Sequence, residues 1–581
     1  MKSNKRSSTP KGAPGATPPA AVAPGQPWWP YLAGLAAALI VTFQIYSPAI
    51  HGPFLFDDRY LPFFAPGWAD APLSSWLRGV RPLLMFTYWL NFRISPADTL
   101  LYHVLNVIFH LGNGVLIWLI VDRILEWAGV EAPRRRVLAI FSGALFLVHP
   151  IQTESVAYVA SRSENLSVLL FNAALAAFVR RPAREAGLRT VAIVLVLFAA
   201  ACVTKEHAAA LPALLLLTDY FWNPGFSFDG IRRNWKVYAP IAAGAVLAGF
   251  WIIRILRVSS TAGFGMRNLT WSDYFFTQCR AIWVYLRLFL LPVGQNADHD
   301  FALSHGVLDH GALIGMLALV GVSLAAWLYR RQFPLASYGW LAFIILIAPT
   351  SSFIPIRDLL VERRLYLPFL GLLLIVCELL RRVDVARKGA IAALAAVTAL
   401  YAFAAYQRND VWSDPIAFWK DAAAGSPGKA RPRFQLGYAY YGEGRCAEAA
   451  VEYERASKIE PPDYTLYVDW ALAADCAQQP DVAIAKLKEA VKLERNAHAW
   501  ATLGMVYAKQ NRLDEALQAL DAAQSADARF EPTYVYRGNI YLLRKEPAKA
   551  AAEFQRALAL KPDDMTARNG LDMAGRQPPQ P

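Results

Sequence analysis

Apolar residues along this chain are gathered into blocks long enough to be helices that cross a lipid bilayer. The hydrocarbon core of a bilayer is about 30 Å thick, which requires about 20 apolar residues in a helix. We predict eleven such helices, at residues 30–49, 101–121, 137–149, 165–179, 188–204, 208–222, 237–256, 311–329, 334–353, 365–380 and 389–406. The pattern therefore predicts an all-α polytopic membrane domain over residues 27–408.

Basic residues cluster between alternate blocks, and this alternation predicts the orientation of the helices. The clusters lie at residues 2–11, 134–136, 180–189, 232–236, 330–331 and 381–388. The positive-inside rule places such segments in the cytoplasm. With eleven crossings, everything after residue 407 is then expected outside, in the periplasm or an equivalent lumen.

Composition agrees with a membrane protein and narrows the function. Hydrophobic residues make up 56% of the 581 residues and charged residues 18%, which is too apolar for an ordinary soluble protein. A net charge of +13 is also typical of proteins that bind nucleic acid, but here the basic clusters follow the membrane topology. We predict a disordered cytoplasmic tail at 1–26, a linker at 409–430 and a second disordered tail at 571–581.

A period of 34 residues begins after residue 430 and indicates internal repeats, since Gly504 and Ala516 recur as Gly538 and Ala550. Small residues at such positions let the two helices of a hairpin approach closely. We predict a periplasmic domain at 431–570 that is an α-solenoid of about four tetratricopeptide repeats, at 431–462, 463–496, 497–530 and 531–564. The groove of such an array binds a peptide or protein, or serves only as scaffolding.

Two of the five cysteines are candidates for pairing, and none of the five shows metal-ligand spacing. Cys446 is predicted to open the second helix of the first repeat, and Cys476 to end the first helix of the second repeat. These helix ends are neighbours in a stacked array. A disulfide between them suits an oxidising compartment, and two unlinked buried thiols are the alternative.

Two adjacent carboxylates, Asp57 and Asp58, follow the first predicted span in the stretch GPFLFDDRYLPFF. A carboxylate at the membrane surface, partly shielded from water, can have a pKa that lets it accept a proton from a hydroxyl. The pair is therefore a candidate general base. A solvated loop pair or a helix cap is the structural alternative.

Further polar clusters fall on the same predicted side of the membrane. They supply His103 in YHVLNVIFHLGN, His149, Glu154, Arg162 and Glu164 in HPIQTESVAYVASRSENL, and Arg363 and Arg364 in ERRLYLP. Arg162, Arg363, Arg364 and Lys205 lie on the side where the positive-inside rule disfavours cations, so each needs an anionic partner. A lipid phosphate is a suitable partner, because a guanidinium group can bind two phosphate oxygens. Pairing with neighbouring glutamates is the alternative.

These motifs resemble those of one family. In chain order they are FDDRY, RPLLMFTYWLNF, YHVLNVIFH, LFLVHPIQTESVAYVASRSENLS, TKEHAAALPALLLL and ERRLYLPFLGL, followed by the repeats. Over about residues 50–570 the chain is similar to the transmembrane and tetratricopeptide-repeat-containing O-mannosyltransferases, in a bacterial version. The resemblance implies a GT-C glycosyltransferase fold, a lipid-phosphate-linked sugar donor and an acidic motif in the first outer loop.

The resemblance also implies roles for individual residues. The acidic motif falls on Asp57, expected as the general base, and on Asp58, expected to position it or contact the sugar, or the reverse. The donor phosphate is expected to bind Arg363, Arg364, Arg162 and Lys205. The sugar and acceptor pocket is expected to use His149, Glu154, Glu164, His103, Asp298, His299 and Asp300. His149 and Glu154 shape this pocket or brace their loop, and the last three lie in a loop that closes over the donor or forms an ordinary surface turn.

The implied reaction is an inverting transfer of a monosaccharide, mannose-like by analogy, from a polyprenyl phosphate to Ser or Thr hydroxyls of extracytoplasmic proteins recruited by the repeats. Transfer to an envelope lipid or polysaccharide and a noncatalytic scaffold for envelope assembly are the alternatives. We expect no cofactor beyond the lipid-linked donor and do not favour a divalent metal, because arginines already neutralise the phosphate. The expected location is the bacterial inner membrane.

Overall fold

The structure is a computed structural model of the chain. It describes residues 29–576 apart from 66, 69, 97, 246–262, 265, 267 and 268. The predicted tail at 1–26 and part of the predicted span at 237–256 lie outside the described residues. The described elements are α-helices and short 3-10 helices, so the predicted all-α class is confirmed.

The α-helices up to residue 410 follow the predicted blocks closely. They are Trp29–Tyr46, Leu73–Trp76, Pro82–Ile94, Leu100–Trp127, Ala132–Val148, Thr153–Ala157, Arg162–Val179, Leu188–Cys202, Leu211–Trp222, Asp229–Arg233, Trp271–Leu290, Ala312–Leu328, Pro334–Ile347, Phe369–Leu380 and Lys388–Asp410. Short 3-10 helices connect them at Phe56–Tyr60, Pro62–Phe64, Pro150–Gln152, Val159–Ser161, Glu206–Ala210, Asp309–Gly311 and Glu362–Leu365.

Four of the described helices are long and apolar enough to cross a membrane, namely Trp29–Tyr46, Leu100–Trp127, Asp309–Leu328 and Lys388–Asp410. A fifth candidate is a pair of helices bent by 50°, Ala132–Val148 with Pro150–Ala157. Three shorter apolar helices of 10–17 residues add to them. The chain is therefore a multi-pass membrane protein, and the count of eleven spans stays a prediction.

Loops at the two ends of these helices make two separate sets of contacts. The Asp57 end comprises segments 47–81, 149–161, 203–210, 291–308 and 348–365, and the Arg181 end comprises 128–136, 180–187, 223–236, 329–333 and 381–388. Contacts within the first set join Arg81 to Glu206, Glu154 to Arg363 and His299 to Glu362. Those within the second join Arg134 to Asp384 and Lys236 to Glu185, and Arg181 also pairs with Asp219 in the last turn of the helix Leu211–Trp222.

The helix Trp271–Leu290 is an element that the apolar pattern did not predict. Its 20 residues span roughly 30 Å. Near its start the Tyr274 hydroxyl donates to the Thr350 carbonyl, and near its end the Phe289 carbonyl contacts the His149 ring. Both contacts are at the Asp57 end, so this helix lies along that end rather than crossing between the two.

The repeat segment folds as four helical pairs. The pairs are Ala430–Gly442 with Cys446–Ser457, Tyr464–Cys476 with Pro480–Leu493, Ala497–Lys509 with Leu513–Ala526, and Pro532–Leu543 with Pro547–Leu560. A side chain added at Gly437 or Gly538 would meet the ring of Tyr453 or Phe554 within 3 Å, which explains the small residues of the period.

The segments on either side of the repeats are helical, and a disulfide joins the first two repeats. The predicted linker at 409–430 contains the helix Pro415–Gly425, and the predicted tail at 571–581 begins inside the helix Met565–Arg576, which packs on the last pair. Cys446 and Cys476 form a disulfide, with their Cα atoms 5.7 Å apart. Of the two alternatives left open by the sequence, the structure contains the bonded one.

Candidate active site

Asp58 holds the loop that carries the two predicted acids. It is buried within the 3-10 helix Phe56–Tyr60. Its carboxylate accepts hydrogen bonds from the backbone N–H of Leu55, at 3.0 Å, and of Ala160, at 2.7 Å. Burial raises the pKa of Asp58 to about 8, against the lowering effect of these hydrogen bonds. Asp58 therefore ties this loop to the segment 158–161.

Asp57, the neighbouring acid, is exposed. Its backbone N–H donates a hydrogen bond to the Tyr158 hydroxyl at 2.9 Å. Its carboxylate has no hydrogen-bond or ion-pair partner within the described part of the chain. Tyr158 and Asp58 thus fix the backbone of Asp57, while its carboxylate is accessible to a substrate.

Arg363 lies over the ring of the same tyrosine. Its guanidinium carbon lies 5.7 Å from the centre of the Tyr158 ring. Glu154 accepts a hydrogen bond from the Arg363 backbone N–H at 2.9 Å and pairs with its guanidinium group. Burial acts to lower the pKa of Arg363, but attraction to Glu154 raises it overall. Tyr158 thus contacts both the backbone of Asp57 and the guanidinium group of Arg363.

Two more cations lie in the same neighbourhood. Lys205 Nζ is 2.5 Å from a carboxylate oxygen of Glu164, and Arg81 donates two hydrogen bonds to Glu206, at 3.0 and 2.8 Å. Burial lowers the pKa of Lys205, and Arg81 and Arg363 lower it further by repulsion. The three cations therefore come from three separate loops yet act on one another electrostatically.

Arg81 is a residue that sequence reasoning missed. It stands at the start of the quoted stretch RPLLMFTYWLNF, directly before the helix Pro82–Ile94. Like Arg363, it is a cation kept at the Asp57 end against the positive-inside trend, and that signal was available. Its partner Glu206 is 125 residues away, which the sequence does not indicate.

The other two predicted phosphate ligands are engaged by protein oxygens. Arg162 is fully buried and donates to the side chains of Asn106 and Asn91 and to the Tyr102 carbonyl. Arg364 is also buried and donates to the Tyr274 hydroxyl and to the carbonyl oxygens of residues 358 and 359. These guanidinium groups brace the loops, and their donors are not open to a ligand.

Two predicted pocket histidines are likewise buried. His149 contacts the Phe289 carbonyl at 2.9 Å through Nε2 and accepts from the Ile151 backbone N–H through Nδ1. His103 contacts the Gly52 carbonyl at 3.1 Å. Both rings therefore join helix ends to loops at the Asp57 end rather than facing an open pocket.

Asp298 connects the membrane domain to the repeats. Its buried carboxylate pairs with Lys429 at 2.5 Å and with Arg431 at 2.6 Å. Arg431 also pairs with Asp358 at 2.9 Å. The predicted roles of this loop as a lid or an ordinary turn give way to a different one, because it binds the chain that leads into the first repeat.

His299 and Asp300 continue this attachment. His299 Nε2 lies 2.9 Å from Glu362, and Asp300 accepts a hydrogen bond from the Gly428 backbone N–H at 2.9 Å. A side chain at position 428 would collide with Asp300, so glycine permits this approach. Among the described residues, no three His, Cys, Asp or Glu side chains are grouped closely enough to hold a metal ion.

The repeats match known repeat models. Models described as tetratricopeptide repeat match residues 497–530 and 532–564. The crystal structure of YrrB, described as a TPR protein with an unusual peptide-binding site, aligns at 23% identity over 31% of this chain and 88% of that chain, with a TM-score of 0.24. The last two helical pairs are therefore tetratricopeptide repeats.

Curated relatives align over most of the chain. Protein O-mannosyl-transferase F38B6.6 of Caenorhabditis elegans is 23% identical over 444 residues, covering 72% of this chain and 61% of the relative. Protein O-mannosyl-transferase TMTC3 of Homo sapiens is 22% identical over 554 residues, covering 85% and 58%. The chain spans about three fifths of the length of these relatives. The alignments confirm the resemblance predicted from the motifs: the chain is similar over most of its length to proteins named protein O-mannosyl-transferases and carries tetratricopeptide repeats.

Proposed function

We propose that the protein is a glycosyltransferase that moves a monosaccharide, mannose by analogy with its relatives, from a polyprenyl-phosphate donor to Ser or Thr hydroxyls of extracytoplasmic proteins. One observation carries the proposal. Tyr158 contacts both the backbone of Asp57, whose carboxylate has no partner among the described residues, and the guanidinium group of Arg363, which acts electrostatically on Lys205 together with Arg81. An acid suits the acceptor hydroxyl, whose proton must be removed, and cations suit the phosphate that leaves the sugar.

Asp57 is the general base in this proposal. Its carboxylate accepts the proton of the acceptor hydroxyl while the hydroxyl oxygen forms a bond to the anomeric carbon. The bond from that carbon to the phosphate oxygen breaks, and attack from the opposite face inverts the configuration. Such base assistance contributes about 10²–10⁴ in rate. Asp58, which is buried, holds the backbone of Asp57 in place.

Arg363, Lys205 and Arg81 bind the departing lipid phosphate. Each is paired with a glutamate, so the donor shares cations that the protein already holds in position. Stabilising the charge that develops on a leaving oxygen is a large part of catalysis in sites of this kind. Arg162 and Arg364 act through the loops that carry the site, because their donors are satisfied by protein oxygens.

The repeats bring the acceptor to this site. Asp298 and Arg431 attach the first repeat to the Asp57 end, which supports an acceptor bound by the repeats reaching Asp57. The proposed orientation places this end in the periplasm of a bacterium. The disulfide between Cys446 and Cys476 supports an oxidising compartment for the repeats.

The test is transfer by the purified full-length protein. It is incubated with polyprenyl-phosphate mannose, or with other polyprenyl-phosphate sugars, and with Ser- and Thr-containing peptides, and the mass added to the peptides is measured. We expect one hexose per modified hydroxyl with at least one donor, and loss of transfer in Asp57→Asn. Consumption of no donor, or an Asp57→Asn variant as active as the wild type, would contradict the proposal.

A further inference from the structure

Asn296 contacts both the chain that leads into the repeats and the segment that carries Arg363. Its side-chain amide donates hydrogen bonds to the Ser426 hydroxyl at 2.8 Å and to the Ala422 carbonyl at 3.3 Å. Its backbone N–H donates to the Glu362 carboxylate at 2.6 Å. Asn296 and Ser426 are both buried. One buried residue therefore joins two segments that are far apart in the sequence.

Ser426 lies at the entry to the first repeat and contacts the loop 295–300 twice. Its hydroxyl accepts from Asn296 and donates to the Asp298 carbonyl at 2.6 Å. A side chain added at Gly425 would collide with the Asn296 amide, so glycine permits this approach. Together with the ion pairs of Asp298, these contacts bind the loop to the chain that enters the repeats.

Glu362 binds the same loop on the side of the candidate site. Its buried carboxylate accepts hydrogen bonds from the Gln295 side chain at 2.7 Å and from the Asn296 backbone, and it lies 2.9 Å from His299 Nε2. Burial acts to raise the pKa of Glu362, but the hydrogen bond from His299 lowers it overall. Glu362 is therefore an anion held against the loop 295–300.

Arg363 directly follows Glu362, and its backbone is held from a second direction. The Arg363 N–H donates to Glu154 at 2.9 Å, and its guanidinium group pairs with the same carboxylate. Without the contacts of Glu362, residue 363 would be held mainly on the Glu154 side. A guanidinium group binds two phosphate oxygens only in a defined orientation. A small displacement of this backbone should therefore weaken phosphate binding.

We propose that Glu362 and Asn296 are positioning residues through which the attached repeats set the affinity of Arg363 for the donor phosphate. The inference rests on the proposed function, which assigns that phosphate to Arg363. It adds that the repeats act on the donor as well as on the acceptor.

Positioning and simple electrostatics predict opposite effects of removing Glu362. Its negative charge is next to Arg363, so by charge alone its removal would leave the binding of a phosphate equal or tighter. Positioning predicts weaker binding. Glu362→Ala removes both the charge and the hydrogen bonds, whereas Glu362→Gln removes the charge and keeps an oxygen that accepts from Asn296.

Binding of farnesyl phosphate to the full-length protein in detergent, without an acceptor, is the measurement. Isothermal titration calorimetry gives its Kd. We expect the Kd to rise about tenfold in Glu362→Ala and to stay at or below the wild-type value in Glu362→Gln. Because the effect is expected to act through Arg363, Glu362→Ala should change the Kd no further in a protein that also carries Arg363→Gln.

A second variant tests the part played by the repeats. Ser426→Ala removes the contact with the Asn296 side chain and leaves Glu362 and Arg363 in place, so we expect the Kd to rise about threefold. Ser457→Ala is the matched control, because it removes a hydroxyl contact within a helix of the first repeat and should leave the Kd unchanged.

The stoichiometry of the titration counts the folded molecules, so a variant that only unfolds lowers the stoichiometry and keeps the Kd. Absence of binding to the wild type, an unchanged or lower Kd in Glu362→Ala, or an equal effect with and without Arg363→Gln overturns the inference. An unchanged Kd in Ser426→Ala also overturns it, because the repeats would then not act on Arg363. Transfer by the wild type is measured separately. The expected Kd values without any sugar transfer would refute the proposed function and leave this inference standing.

Discussion

The two ends of the membrane domain are both rich in charge, but they use it differently. At the Arg181 end, the buried carboxylate of Asp219 accepts hydrogen bonds from Arg181 at 2.7 Å, from Asn234 at 2.7 Å and from Tyr238 at 2.8 Å. At the Asp57 end, Asp57 has no such partner within the described residues. A satisfied charge holds a fold together, and an unsatisfied one is available to a substrate.

The basic residues follow the same division. At the Arg181 end several arginines pair with acids three residues away on their own segment, as Arg381 does with Glu378 and Arg387 with Asp384. An exposed pair such as Arg387 with Asp384 contributes little to stability, and the orientation that these cations predict stays a prediction. At the Asp57 end Arg363 and Glu154 are 209 residues apart in the chain. The Arg181 end also has a long-range pair, Arg134 with Asp384, but that pair is exposed, whereas the Arg363–Glu154 pair is largely buried.

The largest effect is expected at Asp57. Asp57→Asn removes the proposed base without touching a partner, so transfer should fall by about 10²–10⁴ while the thermal stability of the purified protein is unchanged. Initial rates of peptide modification and the melting temperature in detergent are the two measurements. A large loss of stability would mean that Asp57, like Asp58, has a structural role.

Asp219→Asn at the opposite end is the matched variant. It leaves Arg181 buried without a counter-ion, which is expected to cost about 3–5 kcal/mol of stability. Its surviving folded fraction should transfer sugar at the wild-type rate per molecule. A decrease in transfer as large as that of Asp57→Asn would contradict the assignment of the active site to the Asp57 end alone.

A smaller effect is expected from changing the geometry of one cation. Arg363→Lys keeps a positive charge beside Glu154 but loses the planar group that can bind two phosphate oxygens. The loss of one charged hydrogen bond predicts a decrease in kcat/KM for the lipid-linked donor of about 10–100-fold. Arg387→Lys, at an exposed pair of the Arg181 end, should leave kcat/KM unchanged. Equal effects of the two variants would argue against a phosphate site at Arg363.

Much of the fold was predictable because apolar runs report membrane helices directly. The helix Trp271–Leu290 was not predicted because polar residues such as Gln278, Arg280 and Arg287 interrupt the run of apolar residues along the sequence. The repeats were predictable because their period encodes close helix contacts that repeat in space, as Gly437 and Gly538 illustrate.

The candidate site was predictable only in its composition. Adjacent residues such as Arg363 and Arg364 look equivalent in the sequence, yet one contacts Tyr158 and the other is buried against backbone carbonyls. Which side chain faces the open side depends on packing between distant loops, and no local pattern records it. The same reason hid Arg81, whose partner Glu206 comes from another loop.

Asp58, unlike Asp57, is expected to affect the stability of the fold and its dependence on pH. Asp58→Asn replaces one of two accepting oxygens by a donor, which then opposes the N–H of Leu55 or Ala160, and should lower the free energy of unfolding by about 1–3 kcal/mol. The pKa of Asp58 is raised from 3.8 to about 8, so the folded protein holds a proton that the unfolded chain releases. The free energy of unfolding contributed by Asp58 therefore falls as pH rises from about 4 to about 8.

Unfolding measured across this pH range checks the assignment. The slope should be steeper in the wild type than in Asp58→Asn. Identical slopes in the wild type and Asp58→Asn would show that Asp58 does not carry this proton.

The smallest effect is expected where the Asp57 end meets the repeats. Arg431→Ala removes one of two cations on Asp298 and the contact with Asp358, while Lys429 still pairs with Asp298. The first repeat should stay folded but be held less firmly, with faster amide hydrogen exchange over 426–442 and transfer to peptides reduced by a few fold. Arg455→Ala, which breaks a pair within one repeat helix, should change neither. A repeat domain that exchanges and transfers normally without Arg431 would mean that acceptor delivery does not depend on this attachment, and would separate the repeats from the site that they are proposed to supply.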